Sequence, residues 1–376
     1  MTLRFLHCSD LHLGKRFGQF DEDTRAALQL ARQASLDQIA NIAQRETVSH
    51  VLVAGDTFDT ETPSSRVIRQ ALASMASVVD VQWWIIPGNH DSGAAEPLWA
   101  EMARHKSANV HLLLSAEPVH MAAGATLLPA PCMRRFAGHD RTAWMDQAPS
   151  PDGDLRIGLA HGAVLDFDRD QSGAETIASD RAKTARLDYL ALGDWHGEFE
   201  LDARSRYCGT PERDRFKHAG RGGCLLVELD APGRPPRVRR IETGQFDWCD
   251  LTLELTSLSD VAAEVQRILP AERAEWTRTL IRLQARGWVS AAQHAALMDL
   301  AAEVAPAFHH LSLDTSALQI EHRAEDLDQI ARSGALRVAA EQLLADSQNT
   351  VAAEPERAVA AAALNRLYAF VRKDAE

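Results

Sequence analysis

Nowhere in its 376 residues does the chain carry an apolar run of membrane-spanning length, which excludes a helical span. Met1 leads almost directly into the first apolar segment, without the basic start and short hydrophobic core of an export signal. Cysteine is scarce. The five present are an odd number with no C-x-x-C pair, which argues against both a disulfide framework and a zinc knuckle. A reducing cytoplasm is therefore the expected setting. Internal repeats and low-complexity tracts are absent too. Positive charge is in deficit: Lys and Arg number 40 against 53 Asp and Glu, a net charge of −13. Counterion release needs cations on phosphates, so this balance disfavours non-specific wrapping of nucleic acid. The deficit is uneven, however. From Arg204 to Arg240, nine Arg and one Lys face Glu212, Asp214, Glu228 and Asp230, a local excess of +6 (10 − 4).

What is present is a recurring junction. Trp83-Trp84-Ile85-Ile86 reads as a buried strand stopped by Pro87-Gly88, and directly after it stand Asn89, His90 and Asp91. Leu3–Leu6 likewise runs into Asp10 and His12, and His50–Ala54 into Asp56 and Asp59. Leu155–Ala160 ends at His161, and Tyr189–Leu192 at Asp194 and His196. Helical periodicity over Asp23–Gln44, Ser64–Ser77 and Ala95–Arg104 follows each of the first three strands in turn. Helix-length connections predict parallel pairing with helices on both faces, and such sheets present ligands at strand carboxyl ends. A basic helix is expected near Ser179–Arg186, and short antiparallel strands at Arg206–Cys208, Cys224–Leu229 and Val238–Ile241. Near Gln245 the character changes. The reading is a catalytic domain over 1–245, a small α+β domain over 246–333, and an Ala-rich C-terminal helical segment over 334–376.

The gathered side chains offer carboxylate, amide and imidazole donors and no thiolate. That set favours harder divalent ions, Mn²⁺ foremost, with Zn²⁺ and Fe²⁺ as the other options. Some eight candidates from five strand ends exceed one tetrahedral ion and suit two. A pair ~3.5–4 Å apart can clamp the attacking and leaving oxygens of a phosphoryl displacement and activate water as hydroxide. Asp56, on the central loop, is the natural bridge, and His90 is placed to assist charge development or leaving-group protonation.

Together, Asp10-Leu-His12, Gly55-Asp56-x-x-Asp59, Gly88-Asn89-His90-Asp91, His161-Gly162 and Gly193-Asp194-Trp-His196 resemble the calcineurin-like binuclear metallophosphoesterases. Within them, His7–Gly14, Gly55–Thr60 and Gly88–Ser92 look like the DNA-repair nuclease branch, the SbcD and YhaO-type exonuclease subunits. The resemblance covers roughly residues 1–211. It implies an α/β fold: a metallophosphoesterase β-sandwich flanked by helices (αββα), a small capping domain and C-terminal helices. By position, Asp10, His12 and His196 would hold one ion, and Asn89, His161 and Asp194 the other. Asp56 would bridge them, and His90 would be the catalytic imidazole. Asp194 departs from the usual Gly-His-x-His pattern, and a carboxylate there adds negative charge.

The resemblance makes this a metal-dependent phosphodiesterase of the repair exo/endonuclease type. DNA would be the substrate, with an SMC-like ATPase partner and a homodimer implied. A small-molecule phosphodiesterase or phosphatase on the same scaffold is a second reading. The third is a catalytically weak scaffold component of an ATPase complex. Asp59 and Asp91 read as carboxylates orienting a histidine or as turn residues. Arg213, Arg215 and Lys217 read as phosphate contacts or as a solvated face. Trp83, Trp84 and Trp99 read as core, and Trp195 as packing or a stacking platform. The remaining histidines, His322 among them, read as surface or packing residues.

Overall fold

Strand alternation dictates the layers. In β1 (Leu3–Cys8), β2 (His50–Ala54) and β3 (Gln82–Ile86), successive side chains point to opposite faces, and both sets are apolar. Leu6, Val51, Val53, Trp83 and Ile85 face α1 (Glu22–Arg45), α2 (Ser65–Ala76) and α3 (Glu96–His105), packing with Leu36, Ile39, Ile68, Met75 and Met102. Phe5, Leu52, Ala54, Trp84 and Ile86 point the other way, onto Leu127, Ile157, Leu159, Tyr189 and Ala191 of a second sheet. The α1 and α2 starts are capped as their sequences suggest. Asp21 accepts the Thr24 N–H at 2.9 Å and Ser64 that of Val67 at 3.4 Å.

The computed structural model describes residues 2–135, 138–164, 176–321 and 333–375, with 327, 330 and 331. His322 lies outside the described residues. After α3 the chain adds β4 (Val110–Leu112), β5 (Val119–Ala122), β6 (Ala125–Ala130), β7 (Leu155–His161) and α4 (Arg181–Thr184). It continues through β8 (Tyr189–Gly193), β9 (Phe199–Glu200), β10 (Ser205–Tyr207), β11 (Gly223–Leu229) and β12 (Arg237–Glu242). One sheet has the order β12-β11-β1-β2-β3-β4 and the other β5-β6-β7-β8-β10-β9. β1 to β4 run parallel, as do β6, β7, β8 and β10. The result is the metallophosphoesterase sandwich of two six-stranded sheets.

Three local expectations are corrected. The first sheet carries helices on one face only, because the second sheet covers the other; strands apolar on both faces do not say what covers them. The strand expected at Arg206–Cys208 is not antiparallel to its main neighbour. β10 pairs parallel with β8, Tyr207 opposite Leu192, and only the two-residue β9 runs antiparallel to it. The expected basic helix is shorter, four residues, and with the turn at Ala143–Asp146 it covers the outer face of the second sheet through Ala182 and Met145.

By contacts the chain divides into two compact units, Met1–Trp248 and Cys249–Glu376. In the second unit, β13 (Asp247–Leu255), β14 (Thr279–Ser290) and β15 (His310–Glu321) form a sheet of that order, with β14 parallel to β15. Helices α5 (Val261–Ile268) and α6 (Ala291–Val304) bury Val265 and Leu297 against Ile281, Leu283 and Val289. β14 and β15 run twelve residues each, through a register shift at Gln284/Arg286. Helices Ala335–Gln348 and Glu354–Ala375 follow. Among the described residues no helix is long and apolar enough to cross a membrane.

Trp83 has no exposed surface, whereas Leu30 is 72 % exposed. Trp83→Ala is expected to destabilise the fold by about 3–5 kcal/mol through the cavity it leaves, and Leu30→Ala by no more than about 0.5 kcal/mol. Denaturant unfolding midpoints check both.

Candidate metal centre

β1, β2 and β3 from one sheet and β7 and β8 from the other bring their carboxyl ends to one rim of the sandwich. The loops there are zipped together by backbone. Asp10 N–H donates to Gly55 O at 3.1 Å, His12 N–H to Asp56 O at 2.9 Å, and Leu13 N–H to Thr57 O at 2.9 Å. Asp91, fully buried, accepts Phe58 N–H at 3.0 Å and Gly88 N–H at 2.7 Å. It staples backbone rather than orienting a histidine. Seven described non-glycine residues have positive φ. Four of them are expected ligands: Asp10 (54°), His12 (41°), Asp56 (52°) and Asp194 (103°). Strained backbone of this kind persists only where surrounding structure over-determines it. Glycine is required at two approaches. A Cβ on Gly88 would lie 2.1 Å from Asp56 Oδ1, and one on Gly55 2.4 Å from His161 Nδ1.

The donor atoms converge. Asp10, His12 and His196 form one group and Asp10, Asp56 and His161 another, each with donor atoms within 4.8 Å of one another. A third such group joins His12, Asp56 and His90. Asp56 Oδ2 is 3.5 Å from both His12 Nε2 and His161 Nε2, the position of a bridge. His161 donates from Nδ1 to Ala54 O at 2.8 Å, which leaves a lone pair on Nε2, buried and without a hydrogen-bond partner. Asn89 Oδ1 is a second buried acceptor without a partner, while its Nδ2 donates to Asp194 Oδ1 at 3.1 Å. Asp194 Oδ1 is 3.8 Å from His161 Nε2, and its carboxylate is half-buried at the mouth. Buried acceptors are costly unless something electropositive meets them. These residues fit divalent cations.

Charge tells the same story. Burial alone would push His161 down, but Asp56, Asp10 and Asp194 outweigh it and raise the imidazole to about 9. Burial would raise Asp10, yet His196, His161 and His12 hold it below the usual carboxylate range. Asp194 is pushed up, by burial first, with His161 opposing and Asp10 and Asp56 adding. Where no divalent ion offsets the carboxylates, they draw protons onto imidazole.

Further carboxylates aim the histidines. Asp59 Oδ1 faces His12 Nδ1 at 3.3 Å, and its backbone carbonyl accepts from Nδ1 of the exposed His90 at 2.9 Å. Asp214, 3 % exposed, accepts from His196 Nδ1 at 3.0 Å. Sequence reasoning passed over Asp214 because it sits within a basic run. Arg32 was missed too. It occupies the stripe of α1 that holds Leu28 and Leu36, is buried, and donates to Leu11 O at 2.6 Å and Glu212 O at 2.7 Å. An arginine in an apolar stripe was the available signal.

The three basic residues expected to contact phosphate differ in placement. Arg213 is buried, with its guanidinium on the His196 carbonyl. Arg215 is exposed, donating from Nε to Asp214 Oδ1 at 3.1 Å with Nη2 beside the His196 ring. The Lys217 ammonium sits 4.6 Å from the centre of the half-buried Trp195 ring.

A β-sandwich with carboxylates, imidazoles and an amide converging at one rim is the architecture of a metal-dependent phosphoesterase. The profile of the calcineurin-like phosphoesterase family matches residues 3–198, and the chain belongs to that family. It is 27 % identical over 242 residues to the uncharacterized metallophosphoesterase YhaO of Bacillus subtilis (strain 168), covering 60 % of this chain and 57 % of that protein. To the SbcD component of the SbcCD nuclease from the same organism it is 25 % identical over 282 residues, covering 61 % and 67 %. To the SbcD component of the Rhodobacter capsulatus SbcCD nuclease it is 31 % identical over 204 residues, covering 50 % and 47 %. The matches thus span about half to two thirds of these relatives' lengths.

Asp214→Asn removes the charge that aims His196. It is expected to weaken binding of one divalent ion by roughly 10- to 100-fold while sparing the fold. Calorimetric titration with Mn²⁺, beside thermal unfolding, measures both.

Proposed function

We propose that the chain hydrolyses DNA phosphodiester bonds, as a repair nuclease of the exo- or endonucleolytic kind, with two Mn²⁺ ions. The observation that carries the chemistry is the place of Asp56 Oδ2, 3.5 Å from the Nε2 atoms of both His12 and His161. The relatives named as nuclease components support DNA as the substrate. Asp10, His12 and His196 would hold one ion and Asn89, His161 and Asp194 the other, with Asp56 shared. Bound there, the ions supply Lewis-acid charge for a phosphoryl oxygen and lower the pKa of water.

The chain's own groups do the rest. The strand ends hold the donors rigid, so the site needs little reorganisation when substrate arrives. His90 stands at the mouth, tethered by its Nδ1 to the Asp59 carbonyl, with Nε2 free to face the leaving oxygen and deliver a proton to it. Arg215 and Lys217, the exposed members of the basic loop, would meet substrate phosphates. Arg213 would brace the loop from beneath, through the His196 carbonyl. In this reading residues 1–245 are catalytic and 246–333 form a separate small α+β domain. The 334–376 helices would dock an SMC-like ATPase, and the chain works as a homodimer.

The net charge of −13 favours a second reading, in which the substrate is a small phosphodiester. One assay separates them. Labelled single- and double-stranded DNA and bis(p-nitrophenyl) phosphate are each incubated with purified protein and Mn²⁺. Cleavage of DNA is expected; turnover of the reporter with intact DNA would select the small-molecule reading. His90→Ala is expected to lower kcat by about 10²- to 10⁴-fold with both ions retained. Unchanged DNA cleavage by that variant would remove His90 from the reaction.

A further inference from the structure

Lys15 lies in the loop that follows β1. Its ammonium is 3.2 Å from Asp214 Oδ2 and 3.4 Å from Asp59 Oδ1. These carboxylates come from loops far apart in the chain, yet each faces Nδ1 of one imidazole in a single donor group. Asp59 meets His12 at 3.3 Å, and Asp214 meets His196 at 3.0 Å. The circuit His12–Asp59–Lys15–Asp214–His196 is closed by the approach of the two Nε2 atoms to 3.2 Å. We propose that Lys15 is a positioning residue of the metal centre, whose ammonium joins the two carboxylates that aim His12 and His196 and so sets the spacing of these donors. The inference rests on the two-ion reading above.

The circuit is unequal, and the inequality says where it fails first. Asp214 has 1 % of its side chain exposed and is also held by Arg215, from Nε at 3.1 Å and Nη2 at 3.3 Å. Asp59 is 19 % exposed, and its carboxylate has Lys15 and His12 as its ion-pair neighbours among the described residues. Without the ammonium, two carboxylates repel across the gap it occupied, and Asp59 is the one able to turn toward water. His12 then loses its brace.

Two effects of removing Lys15 oppose one another. Loss of a nearby positive charge favours cation binding, but the ammonium is 23 % exposed and screened by solvent. Loss of an orienting contact around a metal ligand typically lowers affinity by about 10- to 100-fold. Orientation is the larger effect, so weaker binding is the expected sign.

The experiment uses the full chain, titrated with Mn²⁺ by calorimetry and with Co²⁺ by its visible absorption, which reports ligand geometry. Wild-type protein should take up two ions. Lys15→Met should weaken one of the two steps by about tenfold or more and alter the Co²⁺ band, with an unfolding midpoint close to wild type. Lys15→Arg, which keeps the charge, should restore both. In an Asp59→Asn background, Lys15→Met should add little, since the path through Asp59 is already cut. Unchanged or tighter binding by Lys15→Met would overturn the proposal, as would an undiminished effect in the Asp59→Asn background. Fewer than two ions on the wild-type chain would overturn the two-ion reading and this inference with it.

Discussion

His12 and His196 point their Nε2 atoms at one another across 3.2 Å, while Nδ1 of each faces a carboxylate. When both imidazoles are neutral with the proton on Nδ1, both Nε2 atoms carry lone pairs, and two lone pairs at that separation repel unless a cation or a proton lies in their reach. The same holds for the crowding of Asp10 and Asp56, both almost wholly buried. A concentration of acceptors of this kind is unfavourable in isolation. It is maintained because the sandwich beneath is packed tightly enough to impose it.

That imposition is traceable. Phe5, Leu52, Ala54 and Ile86 lock the first sheet onto the second, which places His161 of β7 against the loop that carries Asp56. Asp91 ties the β2 loop to the β3 loop through two backbone N–H groups, and Arg32 ties the β1 loop to the carbonyl of Glu212. Gly55 and Gly88 leave room where two loops approach within what a Cβ would occupy. The positive φ values at Asp10, His12, Asp56 and Asp194 are the local cost of this convergence, offset by packing elsewhere.

The basic segment after β10 has a more divided use than its composition suggests. Within five residues, Arg213 turns inward to a carbonyl, Asp214 holds the His196 imidazole, Arg215 flanks that imidazole, and Lys217 caps an indole. Charge density along a sequence counts groups without regard to direction. The burial of each neighbour decides which of them meet solvent.

Much of the first unit was legible from sequence. Strands that are apolar and end abruptly in Asp, Asn or His announce themselves through local pattern alone, and five of them in order define the family and the candidate donors. What sequence could not specify depends on contacts between distant segments. The parallel pairing of β10 with β8, the second sheet lying where a helical layer was expected, and the extension of β14 and β15 are settled by which apolar surfaces meet. So too with Asp214, Arg32 and Lys15, whose partners lie tens to hundreds of residues away. Residue order determined the kinds of donor atom available and the strand ends that bear them. Only the tertiary structure decided which carboxylate aims which imidazole, because hydrogen bonds and ion pairs depend on distance in space.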